Sequence, residues 1–362
     1  MTGPSLIAGG WRSPVGQGSL RPAEWTVACQ WRWLVSVAAL SAAMVAGRFA
    51  ACADETTRRV AGAQLTIELD PREVVVRDQS GTLLRYRYAD VTHKPYVAAL
   101  TTSRGENVLR DAPADHLHHH GLMFACGVDG SNFWEEKSGA GKQVHVDWSR
   151  LDVLSIPRRT EPTAAATEAA ILEETLHWER PDGARPLTER RTIVVFTSFL
   201  DGPRLFEWQS QLTAAADGPG ATLAGANYYG LGMRFVAELD NSGRFFNAAG
   251  NAGVDGTNAA RAAWCAYAAE LGPERPVTIA AFDAAGNPRH PATWFTMDRP
   301  FAYLSATLGL ASEPVVLAAG QTLSLRYGVV LFSKDATAAE IHAAYQDWQQ
   351  LLAVLACERA AR

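Results

Sequence analysis

Residues 65–88 read LTIELDPREVVVRDQSGTLLRYRY, and this stretch indicates the fold class. Three segments within it, at 65–69, 73–77 and 83–88, carry apolar residues with a period of two, which is typical of β-strands. An Asp-Pro pair at 70–71 and a Gln-Ser-Gly run at 79–81 separate them, and both are turn signals. The stretch therefore predicts a β-meander.

The same pattern continues along most of the chain. Further strand-like segments lie at 96–100, 144–148, 169–179, 187–197, 204–212, 231–238, 277–283 and 322–331. No helical pattern of usable length separates them, so the βαβ alternation of Rossmann and TIM-barrel folds is excluded. Near the end, Thr337 and Glu340 have capping-box spacing, and apolar residues on one face predict a helix over about 337–355. We predict an all-β antiparallel sandwich, a single domain over residues 54–362, with this one C-terminal helix.

The first 53 residues resemble a secretory signal peptide. Arg32 precedes an apolar run at 34–47, and Ala51, Cys52 and Ala53 supply small residues for cleavage. This run is shorter than the roughly 20 residues that span a bilayer, and nothing comparable recurs later. We therefore predict export to the periplasm or the cell exterior and no membrane span in the mature chain. A lipid anchor at Cys52 is the less favoured alternative.

Composition and charge exclude several classes of protein. The chain of 362 residues is 48% hydrophobic and 20% charged, as expected of a globular protein with a sizeable core. Without the first 53 residues it keeps 29 basic and 37 acidic residues, and such an acidic surface argues against a nucleic-acid partner. Three cysteines remain, at 126, 265 and 357, too widely spaced for a disulfide framework or a zinc knuckle.

The densest group of chemically active residues is Asp115-His-Leu-His-His-His-Gly121, which holds four of the nine histidines. If the segment is extended, His116, His118 and His120 point to one side and His119 to the other. The apolar run 122–126 that follows predicts a buried strand, so the histidines lie at the beginning of a core strand. Three interpretations remain open: a divalent metal site, a metal-free ligand or catalytic site, and a structural role.

The turn-rich segment 127–136 follows and ends in Phe133, Trp134, Glu135 and Glu136. An exposed Trp beside acids and histidines is typical of a sugar site, because apolar ring faces stack on aromatics while hydroxyls pair with charged groups. The alternative is that Phe133 and Trp134 are core residues. Glu136 is a natural partner of the histidines for acid/base work.

Four residues further along are weaker candidates. His145 alternates with Val144 and Val146 on a strand and is either a site residue or a satisfied surface histidine. Arg234 follows a glycine-containing run and, inside a sandwich, needs a carboxylate partner or a ligand. Arg289 and Trp294 lie in or near a proline-flanked loop that forms either a rim of the site or a simple ordered turn.

These motifs resemble a known family. The run from Asp115 to Phe124 and the later Asp129-Gly-Ser-Asn-Phe-Trp-Glu135 are similar to the signature of the secreted PmoA-like family, labelled "methane oxygenase PmoA", and the resemblance covers about residues 65–335. Members usually carry Asp-His-Pro-His-His followed by a base, whereas this chain has Leu117 for the proline and His120 for the base. The resemblance implies a β-supersandwich similar to the galactose mutarotase-like fold, and a cell-envelope carbohydrate context. Because no membrane span is predicted after residue 53, we do not expect methane oxidation.

The leading hypothesis is an exported carbohydrate-active enzyme, with epimerisation, elimination and hydrolysis all open. Histidines 116–120 would serve as acid and stabiliser, and Glu136 as base; similarity to mutarotase sites motivates this pairing. In a second hypothesis the protein binds sugar without catalysis, with Trp134 and Trp294 as platforms. In a third it is a metal-dependent oxidoreductase with His116, His118 and His120 as ligands. The expected partner is a small carbohydrate, with Asp115, Trp134, Arg234, Arg289 and Trp294 as binding residues.

Overall fold

The computed structural model describes residues 57–156, 167–197 and 202–360, with side chains as far as residue 352. The predicted signal peptide lies outside the described residues, as does nearly all of the stretch 157–167. Two α-helices are present among the described residues, the short α1 (Gly253–Thr257) and the long α2 (Ala338–Ala360). Within the same residues, no helix is long and apolar enough to cross a membrane.

Strands make up most of the rest. They are β1 (Arg58–Ala61), β2 (Thr66–Leu69), β3 (Glu73–Asp78), β4 (Gly81–Arg87), β5 (Tyr96–Leu100), β6 (Leu122–Ala125), β7 (Gly127–Val128), β8 (Ser131–Asn132), β9 (Lys142–Ile156), β10 (Thr167–Glu179), β11 (Leu187–Phe196), β12 (Arg204–Ala214), β13 (Ala221–Ala224), β14 (Gly230–Arg234), β15 (Arg244–Asn247), β16 (Trp264–Glu270), β17 (Pro276–Asp283), β18 (Thr293–Met297), β19 (Tyr303–Thr307), β20 (Val315–Leu317) and β21 (Thr322–Phe332).

Two large antiparallel sheets carry the fold. The first has nine strands in the order β1-β2-β3-β4-β5-β6-β14-β19-β18, and β2 to β5 in it correspond to the strand-like segments predicted between residues 65 and 100. The second has eight strands in the order β15-β16-β17-β21-β12-β11-β10-β9. A small sheet, β20-β13-β7-β8, accompanies them. The prediction of an all-β antiparallel fold with one C-terminal helix is confirmed.

The core lies in two layers. Side chains from both large sheets, such as Tyr86, Phe124, Trp178 and Trp208, pack into one apolar cluster. A second cluster lies under α2, where Ile341 and Trp348 pack with side chains of the eight-stranded sheet. The predicted capping box begins this helix: the Glu340 carboxylate accepts from the Thr337 backbone N–H at 2.8 Å, and the Thr337 hydroxyl accepts from the Glu340 N–H at 3.3 Å.

Central strands of the nine-stranded sheet position the histidine segment. β6 is buried along its whole length between β5 and β14, as the apolar run 122–126 predicted. Gly121 precedes it with φ +38°, and a Cβ there would lie 2.2 Å from the Val97 carbonyl oxygen. Only glycine therefore lets the chain pass from the histidines into β6 so close to β5.

Candidate functional site

The segment 113–119 forms two consecutive turns, so the extended conformation on which the alternation of its histidines depended is not adopted. The His116 N–H donates to the Pro113 carbonyl, and the His119 N–H donates to the His116 carbonyl, both at 2.9 Å. Local hydrogen bonds thus replace strand pairing, and the alternation of side chains is lost. His116 and His119 consequently stack with their centroids 4.6 Å apart, while Leu117 is exposed.

His120 is held at both ring nitrogens by carboxylates. Nδ1 lies 2.6 Å from Asp111 Oδ1, and Nε2 lies 2.9 Å from Glu136 Oε1. Lys94 donates to the same Glu136 oxygen at 2.8 Å, and Tyr96 donates to Asp111 at 2.8 Å while stacking on the His120 ring. We call Lys94, Tyr96, Asp111, His120 and Glu136 the His120 network. The predicted association of Glu136 with the histidines holds for His120.

These contacts shift the pKa values of the ionisable groups in the His120 network. Burial disfavours the charged imidazole, but hydrogen bonds to Asp111 and Glu136 outweigh it and raise the pKa of His120. Burial likewise opposes ionisation of Glu136, yet His120 and Lys94 lower the pKa of Glu136 to about 2. Burial lowers the pKa of Lys94, which Glu136 partly offsets. Glu136 is therefore an ionised and weakly basic carboxylate at neutral pH.

His118 differs from its neighbours because its ring is half-buried and makes no hydrogen bond within the described residues. It packs edge-on against His119, with centroids 4.6 Å apart. Burial and the nearby charge of Lys94 lower the pKa of His118, so the ring is neutral at pH 7. A neutral, accessible imidazole beside a fixed array of charges is suited to accept a proton.

A second group surrounds Arg234, which is 1% exposed. Arg234 donates through Nη2 to Asp115 at 3.0 Å, and its guanidinium lies 3.5 Å from the centroid of the Phe301 ring. His119 lies against Phe301 and Tyr303, with centroids 5.7 and 5.1 Å away. We call Asp115, His119, Trp134, Arg234, Phe301 and Tyr303 the Arg234 cluster. The predicted carboxylate partner of Arg234 is thus Asp115.

Several polar atoms of the Arg234 cluster are buried without a hydrogen-bond partner among the described residues. They are Arg234 Nε and Nη1, His119 Nδ1, Trp134 Nε1 and the Tyr303 hydroxyl. Gly232 makes room for this arrangement, since a Cβ there would collide with the Tyr303 hydroxyl and touch the Trp134 ring. Unpaired buried polar groups are rare, so this concentration marks the cluster as a candidate binding site.

One family model matches most of the chain. The model of DUF6807, a family of unknown function, matches residues 73–346. The chain belongs to the DUF6807 family. No curated protein matches it.

Two solved structures resemble this DUF6807 protein at a low level. Heparan sulfate lyase HepC from Pedobacter heparinus aligns over 78% of this chain at 8% identity and a TM-score of 0.26, and the alignment covers 37% of the lyase chain. The Slr1438 protein from Synechocystis sp. PCC 6803 aligns over 77% of this chain and 96% of its own, at 9% identity and a TM-score of 0.29. The chain thus spans little more than a third of the lyase.

The three histidines proposed as metal ligands are not arranged as a metal site. Across the described ranges 57–156, 167–197 and 202–360, no group of three or more His, Cys, Asp or Glu side chains is placed to hold a metal ion. Both nitrogens of His120 face carboxylates, and His116 faces Asp115 at 3.0 Å. The reason is the double turn, which breaks the alternation on which the ligand set depended.

Neither tryptophan offers an exposed stacking face, so both sugar-platform assignments are wrong. Trp134 is fully buried and stacks on Tyr229 with centroids 5.0 Å apart. Trp294 is 1% exposed and donates to the Ala262 carbonyl at 2.8 Å. Both rings are large apolar surfaces beside strands of the sandwich, where burial is favoured over display. Trp134 still belongs to the Arg234 cluster, with its ring 6.5 Å from that of His119.

His145 and Arg289 have contacts elsewhere. His145 lies 2.7 Å from Glu174 and packs against Tyr88, on the face opposite Val144 and Val146 as predicted. Arg289 donates to the carbonyls of Leu308, Glu313 and Pro314, which orders its loop. Neither is linked to the histidine segment by any hydrogen bond or ring contact among the described residues.

Sequence reasoning missed Lys94, Asp111 and Tyr303. Asp111 lies 9 positions before His120, and Lys94 lies 42 positions before Glu136, so no local pattern joins them. The available signal was weak: His93 and Lys94 form a polar pair that Pro95 separates from the apolar segment 96–100. A cleft of about 400 Å³ between α2 and the eight-stranded sheet, lined by residues such as Leu205, Phe332 and Trp348, includes no member of either cluster.

Proposed function

We propose that this protein is an exported carbohydrate-active enzyme that uses His118 as a general base next to the His120 network. The observation that carries the proposal is the contrast between His118 and His120. His118 is half-buried and has a lowered pKa, whereas His120 is buried between two carboxylates, which raise its pKa. Paired titratable groups whose pKa values are shifted in opposite directions are typical of acid/base sites.

In this proposal each group has one task. His118 accepts a proton from a hydroxyl or an acidic C–H of the sugar. The cationic pair Lys94 and His120 stabilises negative charge that develops on the neighbouring oxygen, and either can return a proton. Glu136, with its pKa of about 2, is a positioning residue that keeps both cations in place. This assignment revises the expectation that Glu136 is the base.

The context of the proposal comes from the sequence. The signal-like first 53 residues favour export, and the resemblance to the PmoA-like family favours a galactose mutarotase-like sandwich with a carbohydrate ligand. Histidine, arginine and aromatic side chains close to one another are suited to a polyhydroxylated molecule. Binding without turnover is the competing function, since the same donors would serve a binding protein.

The test is a screen of the purified protein for turnover and binding on a panel of neutral and anionic glycosides. His118→Gln should lower turnover by about 10²- to 10⁴-fold, because it removes a proton acceptor. Its urea midpoint should not change, since the ring makes no hydrogen bond within the described part of the chain.

His177→Gln is the matched control. His177 lies on β10 between the buried Leu176 and Trp178, and its side chain points to the face of the strand opposite to theirs. It should leave turnover unchanged. Sugar binding with no turnover anywhere on the panel would identify a binding protein, and neither binding nor turnover would remove the carbohydrate proposal altogether. Full activity of His118→Gln would show that His118 is not the general base.

A further inference from the structure

We propose that Arg234 recognises an oxyanion on the substrate, so that the sugar carries a carboxylate or a sulfate ester, and that Asp115 stands in the place this oxyanion takes. The inference rests on the proposed function and names its substrate class.

Arg234 is buried with most of its donors unused. Within the described residues, Asp115 is the one hydrogen-bond partner of its guanidinium, bound through Nη2 alone, while Nε and Nη1 are buried without partners. A guanidinium can hold a carboxylate with two parallel N–H donors, and Asp115 takes only one. A buried donor without a partner costs about 1–3 kcal/mol, so the arrangement is costly unless something else binds there.

Another buried arginine shows the alternative. Arg191 makes two hydrogen bonds to Glu189, and its remaining donors reach Gln143, Tyr86 and the Pro95 carbonyl. All three of its nitrogens are therefore paired, as expected for a structural arginine. Arg234 has the same burial without that pairing, which sets it apart as a residue for binding.

The unpaired atoms of the Arg234 cluster favour a ligand rich in acceptors. Trp134 Nε1 can only donate, and the Tyr303 hydroxyl has a free proton to give, as both lie buried and unpaired. His119 adds a neutral ring, because burial lowers the pKa of His119 to about 2. The charged acceptor among these side chains is Asp115. An oxyanion supplies several acceptors and no donor, whereas each hydroxyl of a neutral sugar brings a proton that also needs a partner.

Asp115 is able to leave. Its side chain is 43% exposed, while that of Arg234 is 2% exposed. The turn that carries it is closed by the Ala112 N–H donating to the His119 carbonyl, and its other backbone bonds are internal. The turn can therefore swing outward without breaking sheet pairing. A substrate oxyanion with two acceptors would then replace an aspartate that accepts only one hydrogen bond from Arg234.

The test measures binding of methyl glucuronide, glucose 6-sulfate and neutral methyl glucoside by calorimetry. Wild type should bind one or both anions at least about tenfold more tightly than the neutral sugar, the effect of one charge-assisted hydrogen bond. Comparing methyl glucuronide with glucose 6-sulfate distinguishes a carboxylate ligand from a sulfate ligand. Arg234→Lys should lose this preference, because an ammonium lacks the planar pair of donors.

Asp115→Asn is the sharper variant, since it removes the competing charge but keeps the shape. It should bind the anionic sugar several-fold more tightly than wild type, whereas a purely structural Asp115 would give weaker or equal binding. Asp335→Asn is the matched control, because Asp335 pairs with Arg244 at 2.7 Å on the surface and is 54% exposed. It should leave binding unchanged.

Equal affinity for charged and neutral sugars, or no gain in Asp115→Asn, would overturn the inference. Its failure is distinguishable from failure of the proposed function. His118→Gln should still bind the anionic sugar while losing turnover. If wild type binds the anionic sugars but turns over no glycoside, the enzymatic function is refuted and the oxyanion site is supported. If wild type turns over only neutral glycosides, the oxyanion site is refuted and the enzymatic function is supported.

Discussion

At the scale of single residues, His119 and His120 are neighbours in the chain with opposite electrostatics. His119 is buried among rings, and burial lowers its pKa from 6.5 to about 2. His120 is buried between carboxylates, and their hydrogen bonds raise its pKa above 6.5 despite that burial. Burial alone therefore does not decide the charge of an imidazole; the partner at each nitrogen does.

The two histidines should give stability profiles of opposite sign. Below pH 6.5 the unfolded chain protonates at position 119 while the folded chain does not, so the contribution of His119 is lost as the pH falls. The contribution of His120 is fully present below pH 6.5 and is lost as the pH rises through its raised pKa. The two effects are separable by comparing His119→Gln and His120→Gln with wild type.

We expect the stability difference between wild type and His119→Gln to shrink by about 2 kcal/mol between pH 7.5 and 5, the linkage for one proton over that range. The difference between wild type and His120→Gln should instead shrink as the pH rises from 6 to 8.5. Urea unfolding at each pH provides the measurement. Parallel profiles for wild type and both variants would contradict these assignments.

At the scale of elements, α2 is joined to the eight-stranded sheet through Trp348. The ring packs against Phe282 with centroids 5.8 Å apart, and its Nε1 donates to Glu207 at 2.9 Å. Gly328 on β21 lies beneath it, where a Cβ would come within 3.1 Å of the indole. One large side chain on the helix thus fits over a residue without a side chain on the strand.

Trp348→Ala should lower the free energy of unfolding by about 3–5 kcal/mol, because it leaves a cavity and removes a partner of Glu207. Gln346→Ala, on the exposed face of the same helix, should change it by less than about 0.5 kcal/mol. Urea denaturation followed by far-UV circular dichroism measures both. A Trp348→Ala protein as stable as wild type would mean that α2 contributes little to the domain.

At the scale of the whole molecule, a buried polar network crosses between the two large sheets. Arg191 on β11 donates to the Tyr86 hydroxyl on β4 at 3.1 Å and lies 4.5 Å from the centroid of the Trp208 ring. It also binds the Pro95 carbonyl next to Lys94. The network therefore connects the sandwich interior to the backbone that carries the His120 network.

Arg191→Met should destabilise the fold by about 3–5 kcal/mol, since Glu189 is left buried without its cation. Arg190→Met is the control, because the adjacent Arg190 is exposed and bonds to Gln211. Chemical denaturation of both proteins gives the comparison. If Arg191→Met lost no more unfolding free energy than Arg190→Met, the buried Arg191–Glu189 pair would make no net contribution to stability.

Most of the architecture could be predicted from the sequence, because strand patterning and capping are local. The segment 96–100 matches β5, and Thr337 and Glu340 form the predicted capping box. Short buried strands such as β16 and β19 were missed, since every residue of β19 is buried and no alternation appears. Four histidines within one short segment also identified, from the sequence alone, the segment that contributes to both the His120 network and the Arg234 cluster.

The chemistry of that segment was decided by tertiary structure. Whether the histidines lie on a strand or in turns, and which carboxylate faces which nitrogen, depends on residues far away in sequence, such as Lys94 and Asp111. The sequence by itself determined the antiparallel strands, the terminal helix and the position of the histidine segment, because these follow from periodicity and turn residues. Burial of Trp134, the charge of His120 and the unpaired donors of Arg234 arise only when β4, β5, β6, β14 and β19 converge, because pKa values and hydrogen bonding depend on three-dimensional neighbours.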